Sequence, residues 1–240
     1  MMKANNYRLF RPPIQIIVGQ DDRQRIFYVD EGVLKSGGDF FVVALKEQWR
    51  KPEEPIKLPE DDPDAFEAYA QWLYTGKIFS KLDPSSMAEY GGLFGWTQQL
   101  RVLGTLFVLG EERMDRAFQD RVMDAMVAIN LQTRHVPAPD TVNYIMQRTL
   151  RDSPARRWVV HSYIRYGRDF GASNTQSTDY WLKHLRLFSH EFVAELLIEQ
   201  SRRIHMRDSE RDDLKALLER PRCTYHSHGK DVACDGSPRS

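Results

Sequence analysis

The stretch Asp61–Ile78, DDPDAFEAYAQWLYTGKI, restricts the fold of this chain more than any other. Asp61 or Asp62 can cap a helix, and Pro63 suits its first turn, where a missing N–H costs nothing. Asp64 and Glu67 favour the positive end of the helix dipole. Phe66, Tyr69, Trp72 and Leu73 recur at helical spacing and give one apolar stripe; Gly76 permits the left-handed turn that ends the helix. Such an amphipathic helix needs a core to lie on.

β signals occur only ahead of this helix. Residues 14–18, IQIIV, are β-branched and bounded by Pro12-Pro13 and Gly19, which predicts a strand. QDDRQ reads as a polar turn, and Arg25–Asp30, RIFYVD, as the second strand of a hairpin. Ser36-Gly37-Gly38-Asp39 breaks the chain and caps a helix over FFVVALKEQW. Pro52 and Pro55 forbid helix in KPEEP, and IKL is a short strand. Residues 80–92 read as a loop. Leu93, Trp96, Leu100, Leu103 and Phe107 mark one helix; Met114, Phe118, Val122, Met126 and Ile129 mark a second. The two are expected to pair antiparallel and close the first domain. A polar stretch with two prolines at 130–140 predicts a boundary. Beyond it only helical segments follow: TVNYIMQRTL, PARRWVVHSYIRYG, DYWLKHLRLF, SHEFVAELLIEQSRRI and RDDLKALLER. The expected fold class is α+β: a mixed N-terminal domain over 1–130, an all-helical domain over 131–222, and a flexible Cys/His tail over 223–240.

The 240 residues are enough to bury a sizeable core. Lys plus Arg and Asp plus Glu balance at 34 each, so no global field draws in nucleic acid or an anionic membrane. No run of eighteen uncharged apolar residues predicts a membrane span, and MMKANNYRLFRPP lacks the apolar run of a secretory signal. Two cysteines, both near the C-terminal end, make no disulfide framework. The expectation is an intracellular protein, cytoplasmic or nuclear, without membrane contact.

Catalytic motifs leave no mark. There is no Gly-x-Ser-x-Gly elbow, Walker loop or Gly-x-Gly-x-x-Gly after a strand, so no catalytic residue and no enzyme is predicted. His190-Glu191 opens a His-Glu-x-x-His pattern, but Ala194 stands where the second ligand must be, and an ordinary helix start accounts for it. His135, His161, His184 and His205 are scattered and read as surface or satisfied core residues. In the tail, Cys223, His226, His228 and Cys234 supply two thiolates and two imidazoles, a suitable set for structural zinc; an unliganded hydrophilic end is the other reading. Zinc through this set is the one cofactor the sequence raises. Arg151, Arg156, Arg157, Arg165 and Arg168 interleave with Trp158, Tyr163 and Tyr166. At helical spacing the aromatics read as core and the arginines as a solvated face, and a neutral chain lacks the footprint of nucleic-acid binding.

With these pieces in order, the first 130 residues resemble a BTB/POZ domain of the group abundant in fungi. The matching segments are IIVG, FYVD, VLKSGGDFFVVAL, the Trp49 segment, IKLPEDDPDAFEAYAQWLYTGKI, LRVLGTLFVLGEERM and FQDRVMDAMV. More loosely, YIMQRT, RRWVVHSYI and HEFVAELL look like the helical half that often follows in that group. The resemblance implies a non-enzymatic adaptor or assembly protein that binds other proteins, self-associates as a homo-oligomer, or recruits a cullin-type ubiquitin-ligase scaffold as a substrate receptor. A zinc-binding regulatory protein acting through the tail is a further alternative. The chain departs from the family pattern at Pro13 and Asp30, which take the places of a charged pair near the dimer interface, and at Gly38-Asp39, which replaces the usual Ser-Pro. Lys51 stands where cullin-binding members carry Glu, and a reversed charge there counts against cullin recruitment. The predicted partner contacts are Trp49, Arg50, Lys51 and Tyr74.

Overall fold

The structure is a computed structural model and describes residues 12–46, 51, 54–78, 93–167, 184–204 and 224–227. The hairpin forms as predicted: β1 (Ile14–Val18) pairs antiparallel with β2 (Arg25–Val29), in the register Ile14↔Val29 to Val18↔Arg25. A single 3-10 turn, Asp21–Arg23, closes it, with Gly19 and Asp21 at positive φ of 80° and 51°. β3 (Ile56–Leu58) lies parallel to β1 on its other side, so the sheet order is β2-β1-β3. The period of two sends Ile14, Ile16 and Val18 into the core.

The crossover between β2 and β3 carries α1 (Glu31–Ser36) and α2 (Asp39–Ala44). Helix α1 escaped the sequence reading because six residues are too few to show an apolar period. Of the predicted helix FFVVALKEQW, the part that forms ends at Ala44, and residues 47–50 lie outside the described set. Gly38 is required between the two helices: a Cβ there would overlap the Arg113 carbonyl and crowd the Asp115 amide.

Helix α3 (Pro63–Thr75) bears out the opening prediction. Asp62 caps it, accepting from the amides of Asp64 at 2.9 Å and Ala65 at 3.1 Å, and Gly76 ends it at φ 65°. Phe66 and Tyr69 are fully buried, while Trp72 and Leu73 are half-buried at the edge of the core. The Tyr69 hydroxyl donates to Asp115 Oδ2 at 3.1 Å and accepts from the Gly38 amide at 3.4 Å.

Helices α4 (Leu93–Glu112) and α5 (Arg116–Thr133) form the expected pair, and Asp115 caps α5 by accepting from the Phe118 amide at 2.9 Å. Met114 does not belong to the core of this pair: it sits in the connecting turn at φ 53° and is half exposed, because the two helices need a tight reversal there. Helices α6 (Pro139–Arg148), α7 (Pro154–Tyr166) and α8 (His190–Ile204) follow; DYWLKHLRLF is described only from His184 onward, where Leu185–Leu187 form a 3-10 turn. RDDLKALLER and residues 80–92 lie outside the described residues.

One apolar core runs from the sheet through α3, α4 and α5 into α6, α7 and α8, and the Val136 side chain of the inter-helix link is buried within it. At Gly104 helix α6 comes close: a Cβ would stand 3.0 Å from Thr141 Cγ2 and 3.3 Å from Ile145 Cδ1. The molecule is therefore mixed α+β and mostly helical, with one three-stranded sheet among the described residues. No helix among them is long and apolar enough to cross a membrane.

Candidate interaction surfaces

On β2 the alternation that buries Val29 turns Ile26 and Tyr28 outward, 53% and 63% exposed. The register places Ile17 beside Ile26 and Gln15 beside Tyr28, with Lys57 of β3 beside Ile17. These five residues make the outer face of the sheet. Phe27 points the other way and meets Phe66 with ring centroids 5.0 Å apart. Arg25 fixes the strand to α3 through ion pairs of 2.8 Å to both Asp64 and Glu67, and its guanidinium lies over the Phe27 ring. Beyond β2 no further strand pairs among the described residues. Sequence reasoning passed over Ile26 and Tyr28, although two apolar residues at both outward positions of a hairpin strand are themselves the signal.

Tyr74, at the end of α3, is half exposed, and its hydroxyl donates to Asp30 Oδ2 and accepts from the Asp30 amide, both at 3.0 Å. Its predicted role as a contact therefore rests on the ring rather than the hydroxyl. Lys51 is solvent-exposed and lies 3.8 Å from Glu54. Trp49 and Arg50 lie outside the described residues.

Between the β1–β2 turn, the β3–α3 link and helices α4 and α6 is a cleft of about 550 Å³. Three of its acids are engaged: Asp62 pairs with Arg23 at 2.8 Å, Asp61 with the buried Arg113, and Glu60 with Gln20 at 3.0 Å. Burial works against the Asp62 carboxylate, but the Ala65 amide, the Arg23 guanidinium and the Asp64 amide outweigh it and hold its pKa below the usual value.

The C-terminal residues 224–227 are docked on α5 and α7. Tyr225 is fully buried, with its hydroxyl 2.8 Å from His161 Nδ1 and the two rings 5.7 Å apart. Burial, reinforced by Arg203 and Arg157 against the opposing Glu199, lowers the His161 pKa to about 4, so the ring is neutral at pH 7. The His226 ring is buried, with Nε2 3.0 Å from Asp124 Oδ1 and Nδ1 4.0 Å from Asp120 Oδ2. The Ser227 amide donates to Asp120 Oδ1 at 2.5 Å, and its hydroxyl to Gln119 Oε1 at 2.8 Å. Of the predicted zinc set only His226 is described, while Cys223, His228 and Cys234 lie outside. Among the described residues no three His, Cys, Asp or Glu side chains converge in a metal-binding arrangement.

The Arg/aromatic segment of α7 is core, as its spacing predicts for Trp158 and Tyr163, but Arg156 is not on a solvated face. Its side chain is buried and ion-paired with Glu191 at 2.7 Å and Glu195 at 3.3 Å. His190-Glu191 is the start of α8, and Glu191 is spent on Arg156. Neither a protein-family model nor a curated protein sequence matches this chain.

Proposed function

We propose that the chain is a non-enzymatic interaction module, an adaptor or assembly protein of BTB/POZ type that works inside the cell. The order hairpin, two short helices, third strand, capped helix and helical pair supports this reading, since it follows the segments that carry the resemblance. The observation that carries it is the outer sheet face, where Ile26 and Tyr28 are exposed beside an edge strand with no partner among the described residues. Such an edge is a template for another strand. The face selects no partner by charge, because Lys57 is the one charged residue among the five that form it. An identical face is therefore tolerated, and the partner is a second copy paired about a two-fold axis. Lys51 presents an exposed ammonium where a cullin-binding member carries Glu, which counts against cullin recruitment relative to self-association.

Light scattering across concentration tests this. The native chain is expected to approach twice the monomer mass, and Ile26→Glu, which sets a carboxylate on the pairing face, is expected to stay monomeric. A native chain that remains monomeric throughout would remove the reading.

A further inference from the structure

Three consecutive residues near the C-terminal end, Tyr225, His226 and Ser227, are each held by side chains of helices distant in sequence. Helix α7 supplies His161 to the phenol, while α5 supplies Asp124 to the imidazole, Asp120 to the Ser227 amide and Gln119 to its hydroxyl. The ring of Tyr225 is fully buried against His161, and the two residues after it make hydrogen bonds to α5. An apolar anchor in a closed socket, flanked by a backbone amide contact and side-chain hydrogen bonds, is how a peptide is recognised by a receptor surface. We infer that the α5–α7 face is a docking site for a Tyr-His-Ser strap, and that a second copy of this chain can supply that strap in exchange.

Two facts favour the second copy as the occupant. The anchored segment is short, so it carries every contact with it when it moves to an identical site. Residues 205–223 join it to the end of α8, and at the contour length of an extended chain they reach at most about 65 Å, enough to cross to a neighbouring copy. Within one chain the tether gives the resident strap an effective concentration in the millimolar range, so exchange is favoured where copies are concentrated or already held together. This docking site is separate from the outer sheet face and does not depend on it.

The test pairs two full-length variants, both carrying Ile26→Glu so that sheet-face association does not contribute. In the first, His226→Asp sets a third carboxylate against Asp120 and Asp124 and expels the strap while leaving the docking face intact. In the second, Asp120→Ala with Asp124→Ala blunts the docking face while leaving the strap intact. Each alone is expected to be monomeric, and an equimolar mixture to form a 1:1 complex by sedimentation, because the intact strap of one fits the intact face of the other. A labelled peptide spanning residues 222–229 is expected to bind the His226→Asp variant at least tenfold more tightly than the Asp120→Ala/Asp124→Ala variant. Circular dichroism checks that both variants fold; should either be unfolded, Ser227→Pro, which removes the amide donor to Asp120 together with the hydroxyl donor to Gln119, replaces His226→Asp, and Gln119→Leu with Asp120→Asn replaces the double alanine. A mixture whose mass is the mean of its components, with a peptide that binds neither variant, overturns the inference and leaves the strap as a fixed part of one fold.

Discussion

Arg156 fills the space between α6, α7 and α8 that an apolar side chain would occupy in a simpler bundle. Its Nε donates to Thr149 Oγ1 at 3.1 Å, and its Nη2 reaches the carbonyls of Met146 and Thr149, which close the C-terminal end of α6. Its Nη1 faces Glu191 and Glu195 on α8. One planar fork thus satisfies two helix-end carbonyls and two carboxylates at once, a pattern that a lysine ammonium cannot reproduce. Arg156→Lys keeps the charge and loses the fork, and is expected to lower stability by about 1–3 kcal/mol. The control is Arg157→Lys next to it on the exposed side of α7, expected to change stability by less than about 0.5 kcal/mol. Urea denaturation of the two variants measures both. The sequence put Arg156 on a solvated face because an arginine run at helical spacing looks the same whether its guanidinium meets water or two distant glutamates.

Helix α3 was readable in full from its own residues: cap, proline at the first turn, apolar stripe and left-handed stop are all local. Its cap also sets a pH dependence. The folded pKa of Asp62 lies below its ordinary value of 3.8, so the unfolded chain takes up the proton first as pH falls. The stabilisation is complete above pH 3.8 and is lost as pH drops through the lowered folded value. Asp62→Ala is expected to cost about 1 kcal/mol at neutral pH. The difference in urea midpoint between native chain and variant should hold constant above pH 5 and shrink below pH 3.8. A difference that persists unchanged into strong acid would show that the carboxylate charge is not what the α3 amides recognise. Helix α1 and the parallel strand β3 were less legible. The first is too short for a period, and the partner of the second is chosen by the crossover rather than by the residues Ile56–Leu58.

Across the described residues the buried apolar side chains form one cluster from the sheet to α8, although a boundary was expected at 130–140. Helix α5 runs on to Thr133, the buried Val136 fills the link, and α6 packs into the notch left by Gly104 on α4. The N-terminal and helical parts are therefore expected to unfold together. Gly104→Val overfills the notch and should lower stability by about 1–3 kcal/mol. Far-UV circular dichroism and tryptophan fluorescence, which includes the buried Trp158 of α7, should give coincident transitions that shift by the same amount in the variant. Separate transitions, or a shift seen by one probe alone, would mean two independent units.

The sequence by itself determined the α+β class, the hairpin, the capped helix α3, the α4–α5 pair and the helices α6, α7 and α8, because each rests on caps, breakers and periods within a few residues. Only the tertiary structure decided that Ile26 and Tyr28 lie on an uncovered face, that Arg156 is buried and that Tyr225–Ser227 fold back onto α5 and α7. Those outcomes depend on which distant surfaces meet, and contacts between residues 35 to 108 positions apart leave no local pattern to read.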